Sequence, residues 1–351
     1  MPSDILKSKL NAIDLFAGCG GLSQGMHDAG FNTRIAVELE PVAVDAYRLN
    51  HPTTKVLQRD IRSVTGIELL KSFAHEKIHL LAGCPPCQGF SAVRRLNKKR
   101  SKRDSRNNLV LEYFRLVEET RPLTIMMENV PGLRDYYLFK EIVGGLESLG
   151  YHLNIKVLNV RDYQVPQNRQ RLVMVGSLFG KIELPQPHAK RVTVREAIGK
   201  LVRPEKTSDP LHRIFAKHSE KVLERIKLTP KNGGSSKDIP KKYALKCHTK
   251  ENVGFHDVYG RLRWDDCSNT ITGGCLNPSK GRFLHPEQDR ALTPREAALL
   301  QSFPPDYIFP INVTKQALGL LIGNALPPKF SYYQSLNIAE HIREHLDQSQ
   351  S

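Results

Sequence analysis

Two cysteines, Cys84 and Cys87, stand three positions apart in "GCPPCQGFS" (83–91), with two prolines between them. Thiols at that spacing can form a redox pair, supply half of a zinc site, or offer one nucleophile with an incidental neighbour. Other residues along the chain could act on a polarised substrate. Glu128, in "ENV" (128–130), is a carboxylate expected at a strand end. Arg169 and Arg171, in "QNRQR" (167–171), alternate toward one face of a strand. There they can orient an anion or polarise a carbonyl. In "DLFAGCGG" (14–21) a strand runs into a glycine-rich turn that opens a helix, which brings a ligand onto backbone N–H groups. Glu38 follows about twenty residues on, where a carboxylate can accept hydrogen bonds from ribose hydroxyls. Asp60, in "QRDI", sits where a third strand could end. The glycines do not spell G-x-G-x-x-G, which favours an adenosyl cofactor other than NAD.

The elements that must position these residues are legible as an alternation. Strand-like runs are "AIDLFAG" (12–18), "TRIAVELE" (33–40), "IHLLAG" (78–83), "LTIMMENV" (123–130), "YHLNIKVLNV" (151–160) and "RLVMVGSL" (171–178). Helix-like stretches separate the first of these, one opening at Pro41, a residue suited to a first helical turn. Such alternation predicts an α/β fold, a doubly wound, mostly parallel sheet with helices on both faces. "IHLLAG" then delivers both cysteines to the C-terminal end of a buried strand, where open α/β sheets place their ligands. From about residue 180 to 258 the chain turns rich in Lys, Pro, Gly and Ser and loses periodicity, which predicts a smaller, irregular module. Order returns with "LTPREAALLQSF" (292–303), where Thr293 and Glu296 have capping-box spacing. A last helix is expected from about Pro328 to His345.

Composition narrows the partner. Lys and Arg exceed Asp and Glu by 52 to 36, a net charge of +16, which a polyanion such as nucleic acid would reward. No apolar run approaches the eighteen or so residues that span a bilayer, and no apolar signal core opens the chain. An intracellular protein is expected, with no membrane partner. After Cys87 the chain reads "QGFSAVRRLNKKRSKRDSRNN", a basic loop that argues against the redox reading, since a redox motif opens a helix at its first cysteine. Zinc needs a second pair at suitable spacing. Cys247 with His248, Cys267 and Cys275 do not supply it, so no metal is expected.

Taken in order, "DLFAGCGG", "VELEP", "RDI", "GCPPCQGFS", "MMENV", "PQNRQR", "RALTPREAALLQSFP" and "LIGNALPP" resemble the motif series of the DNA cytosine carbon-5 methyltransferases, from residue 12 to about residue 330. The resemblance implies a Rossmann-like methyltransferase fold. Its catalytic domain would span 1–179 and be completed by 286–351, with a target-recognition domain at 180–285. It implies S-adenosylmethionine as cofactor and double-stranded DNA as partner.

Residue by residue, the resemblance makes Cys87 the nucleophile, shaped by Pro86, and leaves Cys84 a bystander. Glu128 would bond ring nitrogen 3 and the amino group of cytosine, Arg171 the ring carbonyl, and Arg169 would order the site. Phe16 would face the adenine, with Gly18 and Gly20 near the methionine portion. Glu38 would hold the ribose and Asp60 the adenine amino group. Asn324 would close the pocket, and Ile61, Leu109 and Leu326 would line it. Leu39 stands where a bulkier apolar residue often stacks on the adenine. Because the target atom is buried in a stacked duplex, the base must be flipped out. Gln88, Ser91, Arg94, Arg95 and Arg106 of the basic loop, with Thr270 of "NTITGG", would contact the DNA, and the Lys and Arg residues of 181–250 would add salt-dependent attraction.

Two alternatives belong beside this reading. A relative of the family methylates tRNA cytosine, but its Cys-Phe-Thr signature is replaced here by "CHT" (247–249). A non-catalytic DNA-binding relative would have no need of Cys87, Glu128, Arg169 and Arg171. A monomeric, stand-alone enzyme of bacterial cytoplasm, of restriction-modification or defence type, is expected.

Overall fold

A computed structural model describes residues 10–74, 76–86, 108–243 and 257–348. Cys87, Gln88, Ser91, Arg94, Arg95 and Arg106 lie outside the described residues, as do Cys247 and His248.

By packing, the chain divides into two compact units. The first contains Met1–Asn159, Gln170–Pro187 and Pro328–Ser351. Its centre is β1, Leu10–Leu15, whose six positions are all buried. A strand buried on both faces reads as a nearly continuous apolar run, and "LNAIDL" does. The sheet has the order β3-β2-β1-β4-β5-β7-β6, built with β2 (Phe31–Glu38), β3 (Lys55–Gln58), β4 (Leu80–Gly83), β5 (Thr124–Asn129), β6 (His152–Asn159) and β7 (Gln170–Ser177). The five strands from β3 to β5 are parallel, as expected. The sheet is mostly parallel as expected, and β7 alone is reversed, running antiparallel to both β5 and β6. The link from β6 to β7, residues 160–169, is shorter than the dozen or so residues of a parallel crossover, so the second strand must return alongside the first.

Helices α1 (Gly21–Asp28), α2 (Pro41–Asn50), α3 (Gly66–Lys71), α4 (Leu109–Thr120) and α5 (Tyr137–Ser148) belong to this unit. Pro41 opens α2 as its sequence suggests. The core gathers Ile13, Leu15, Leu81, Val110, Tyr113, Leu116 and Ile125. The Tyr113 hydroxyl, buried there, donates toward the carbonyls of Leu81 and Met126 and so spans β4 and β5.

The second unit contains Val160–Arg169 and His188–Pro327. Among its described residues it carries only isolated bridges and short helices: α6 (Val194–Ile198), α7 (Glu220–Leu228), α8 (Pro294–Leu300) and α9 (Lys315–Asn324). The irregular texture expected for 180–258 is present among its described residues. Residues 286–327 pack within this unit. The ties are polar: Arg295 pairs with Asp209 at 2.6 Å, and Thr293 shares a 2.7 Å hydrogen bond with His212. Thr293 and Glu296 form the expected capping box on α8. The chain then re-enters the first unit through α10, Pro328–Gln348. Ser331 on α10 donates to the Leu22 carbonyl of α1. A Cβ on Gly25 would sit 2.4 Å from the Ser331 Cβ, so the approach of these helices requires glycine there.

Candidate active site

Strand pairing in the first unit brings two predicted residues and one predicted bystander together. Gly83 of β4 pairs with Met127 of β5, so Cys84, just past the end of β4, and Glu128, next to last in β5, follow at one level. On the other side β7 pairs antiparallel with β5, and Arg171 Nε approaches Glu128 Oε1 to 2.5 Å. Both side chains are mostly buried. The approach lacks the alignment of a hydrogen bond, and Glu128 Oε1 has none, so this is an ion contact that leaves the oxygen able to accept. The Cys84 thiol is pushed well above its ordinary range, first by burial, then by the charges of Glu128 and Asp14 and by its hydrogen bond to Glu128. It is therefore held as a neutral thiol. Asn129 donates to the Pro85 carbonyl at 2.8 Å and anchors the segment that leads through Pro86 to Cys87.

A second group surrounds the glycine-rich turn after β1. Phe16, Gly18 and Gly20 have positive φ values of 60, 55 and 91°. Phe16 is the costly one, since a side chain in the left-handed region is strained. Glu38 holds this turn to the end of β2: one carboxylate oxygen accepts from the Gly18 N–H at 2.8 Å, the other from the N–H groups of Leu39 and Glu40. Leu39 is 53% exposed, an apolar side chain left uncovered beside that turn's anchor. The space where a Gly18 Cβ would point is empty to 4 Å. Asp60 caps the short 3-10 turn Ile61–Ser63 by accepting from the Arg62 N–H. Ile61 and Leu109 are buried within the apolar core.

Beneath the turn lies a carboxyl group. Asp14 on β1 is fully buried; one oxygen accepts from Ser23 at 2.6 Å and the other has no hydrogen-bond partner. Ser23 also shares a 2.6 Å bond with the Tyr47 hydroxyl. Burial, reinforced by the nearby charge of Glu38 and opposed by the Ser23 bonds, raises the Asp14 pKa to about 7.

The remaining predicted residues fall in the second unit. Arg169 lies just before β7 and not on its face, so the expected alternation with Arg171 does not occur. Its guanidinium is buried and donates to the carbonyls of Ile271 and Gly323 at 3.2 and 3.0 Å. Backbone carbonyls in an irregular region need such donors, and this need outweighs strand periodicity. Thr270 donates to the Asn168 carbonyl at 2.9 Å. Asn324 ends α9 and is exposed, while Leu326 is buried.

A family model of C-5 cytosine-specific DNA methylases matches residues 10–340. The chain belongs to that family. The Type II methyltransferase M1.HphI of Haemophilus parahaemolyticus is 38% identical to the methylase over 91% of this chain and 84% of its own. The Type II methylase M.HgiDII of Herpetosiphon aurantiacus is 37% identical, over 90% and 91%. Among solved structures, a DNA modification methyltransferase encoded within an E. coli prophage superposes with a TM-score of 0.72 at 25% identity, covering 96% of this chain and 99% of that one. The S. pombe Dnmt2 methyltransferase, at 19% identity and a TM-score of 0.65, shares the fold.

Three residues of the methylase's site escape sequence reasoning. Asn129 follows Glu128 directly, and a polar residue ending an apolar strand is the available signal. Asp14 is a charge inside "NAIDLF", otherwise the pattern of a buried strand. Cys84 passes for packing alone in the sequence, yet its thiol meets Glu128. Among the described residues no helix is long and apolar enough to cross a membrane, and no group of three His, Cys, Asp or Glu could hold a metal.

Proposed function

We propose that the methylase transfers a methyl group from S-adenosylmethionine to carbon 5 of a cytosine flipped out of a specific duplex sequence, through a covalent bond from Cys87. The observation that carries this reading is the Glu128–Arg171 pair at the strand ends, beside the Asn129-anchored prolines that lead to Cys87.

Carbon 5 of cytosine is a poor nucleophile until something adds at carbon 6. The Cys87 thiolate adds there, its electron pair forming the S–C bond, and the ring electrons shift toward carbon 5 and nitrogen 3. Glu128, as the carboxylic acid when the base is bound, donates to nitrogen 3 and accepts from the exocyclic amino group, which stabilises the charge built up on addition and selects cytosine over thymine. Arg171 holds the ring carbonyl oxygen and, by its contact with Glu128, fixes the carboxyl group's direction. Arg169 orders the neighbouring backbone. Once carbon 5 carries the methyl group, loss of its proton to water and cleavage of the S–C bond, whose electron pair returns to sulfur, restore the ring and the thiolate.

The residues present fit an adenosyl cofactor. Space stands open over Gly18, Leu39 offers an uncovered apolar surface, and Glu38 presents a carboxylate already fixed by three backbone donors. Phe16, Gly18, Gly20, Asp60 and Pro86 would hold it with them, and Asn324 and Leu326 are assigned to it by the family's motif order. Ile61 and Leu109, buried in the core, would support the pocket from behind. When bound, S-adenosylmethionine supplies the electrophilic methyl group of a sulfonium.

Duplex DNA is the substrate that the charge of +16 supports. Gln88, Ser91, Arg94, Arg95, Arg106 and Thr270 would contact it. Function divides the chain into a catalytic part, 1–179 with 286–351, and a recognition part, 180–285. By its Type II relatives, the enzyme serves as the modification arm of a restriction-modification system, as a monomer in bacterial cytoplasm.

The test is labelled S-adenosylmethionine with duplex DNA or tRNA, repeated with Cys87→Ser. Methyl incorporation into DNA, abolished by the substitution, and a trapped adduct with fluorocytosine DNA are expected. Transfer to tRNA alone, or activity that survives loss of Cys87, overturns the reading.

A further inference from the structure

Two glutamines at the heart of the second unit are fully buried, and their amides join end to end. Gln167 Oε1 accepts the Ile271 N–H at 2.8 Å, and Gln167 Nε2 donates to Gln301 Oε1 at 2.6 Å. Gln301 Nε2 donates in turn to the Ile322 carbonyl at 2.6 Å. The result is a continuous chain of amide hydrogen bonds from residue 271 to residue 322. Its direction is fixed, because turning either amide over would set donor against donor or acceptor against acceptor.

Two further links run parallel to it. Arg169 donates to the carbonyls of Ile271 and Gly323. A Cβ on Gly323 would come within 2.1 Å of the Thr272 carbonyl carbon and 2.3 Å of the Gly273 nitrogen, so backbone rests on backbone there. The segment bearing Thr270 and the turn bearing Asn324 are thus tied side to side. A buried polar chain of this kind is costly when broken anywhere, so the two segments are held to shift together.

The geometry points to Gln167 and Gln301 as positioning residues that make duplex binding at the Thr270 segment and cofactor binding at the Asn324 turn interdependent. The inference rests on the proposed roles of Thr270 and Asn324. Coupling of this kind is reciprocal: whatever factor DNA adds to cofactor affinity, the cofactor adds to DNA affinity.

The test uses the full chain and S-adenosylhomocysteine, titrated calorimetrically with and without a duplex carrying the target sequence. Single-base mapping of 5-methylcytosine in DNA from cells expressing the protein supplies that sequence first. For the unaltered protein the duplex should tighten the ligand by about fivefold or more. In Gln301→Met, which keeps length but breaks the amide chain, that ratio should fall toward one. A merely structural role would weaken both measurements alike and leave the ratio unchanged. Hydrogen exchange on the unaltered protein decides the matter without any variant. S-adenosylhomocysteine alone should slow exchange at 268–273, and duplex alone should slow it at 321–326. A ratio of one in the unaltered protein, an undiminished ratio in folded Gln301→Met, or no cross-protection overturns the inference. Absence of any binding by S-adenosylhomocysteine or duplex defeats the proposed function along with it.

Discussion

The two units solve the same problem by different means. In the first, sheet ladders and helices satisfy the backbone internally, and apolar side chains such as Ile13, Leu81 and Leu116 need only fill the space between them. In the second, regular structure is scarce, and side chains must satisfy the backbone instead. Arg261 is the extreme case. Its guanidinium has no exposure and donates to the carbonyls of Thr229, His285, Gln288 and Ile226, while pairing with Asp289. Those partners join the end of α7 to residues 285–289, beside a small apolar cluster of Ile226, Val258, Tyr259 and Leu284. A basic composition is therefore not all surface: part of this unit's positive charge works inward.

The largest expected effect breaks the comparison open. Arg261→Met strands the Thr229 and His285 carbonyls. It also takes a donor from Ile226, Gln288 and Asp289, which keep the Thr229 N–H, the Arg290 N–H and Lys231. Together this should cost about 3–5 kcal/mol. Trp264, the chain's single tryptophan, is buried in the second unit and donates to Glu287, so its fluorescence reports on that unit. In urea its transition should move to lower concentration. Far-UV circular dichroism, weighted toward the sheet and long helices, should keep a later phase. Leu81→Ala is the reciprocal probe, a cavity worth about 2–5 kcal/mol that should move the dichroism transition instead. If both variants shift both signals equally, the units unfold as one and the contrast has no energetic meaning.

The first unit holds a fully buried carboxyl group in Asp14, and it sharpens the comparison through pH. Asp14 titrates near 7 in the folded chain against an ordinary 3.8. Its folded-state pKa is raised, so its contribution to stability is whole below about pH 4, falls as pH rises, and levels off just above 7. Between pH 5 and 8 the loss should be about 2–3 kcal/mol, since each tenfold difference in proton affinity between folded and unfolded chain is worth about 1.4 kcal/mol. Asp14→Asn keeps an oxygen for Ser23 and removes the titration. Its stability relative to the unaltered protein should therefore improve across that range, measured by urea unfolding at each pH. A pH-independent difference would show that Asp14 does not bind a proton in the fold.

The same contrast explains what the sequence could show. The strand series and the placement of Glu128 at a strand end were legible because apolar runs record burial directly. The reversal of β7 was not: "RLVMVGSL" looks like its parallel neighbours, and only the short link after "YHLNIKVLNV" forces the return. Arg171 was legible as a site residue on a strand, and its contact with Glu128 follows from the pairing of β5 with β7. Arg169 was not, because its partners are carbonyls roughly a hundred or more residues away, a distance that no local pattern records. Gln167 and Gln301 were invisible for the same reason. A buried glutamine has no periodicity to announce it.

The smallest effect puts one motif in both units. Thr65 caps α3 and Thr293 caps α8, each accepting the N–H three residues on, from Glu68 and Glu296. Thr65 is exposed, so water can replace its hydroxyl, and Thr65→Ala should cost under about 1 kcal/mol. Thr293 is fully buried, and its hydroxyl also meets His212 Nδ1, whose Nε2 is within 2.8 Å of the Val202 carbonyl. Thr293→Ala removes the cap and strands a buried imidazole nitrogen, so it should reach about 2 kcal/mol, the upper end for a lost cap. The same two unfolding signals read the difference, dichroism for Thr65 and Trp264 emission for Thr293. Equal costs would mean that burial adds nothing to the cap, and that the second unit leans on its side-chain-to-backbone bonds no more than the first does.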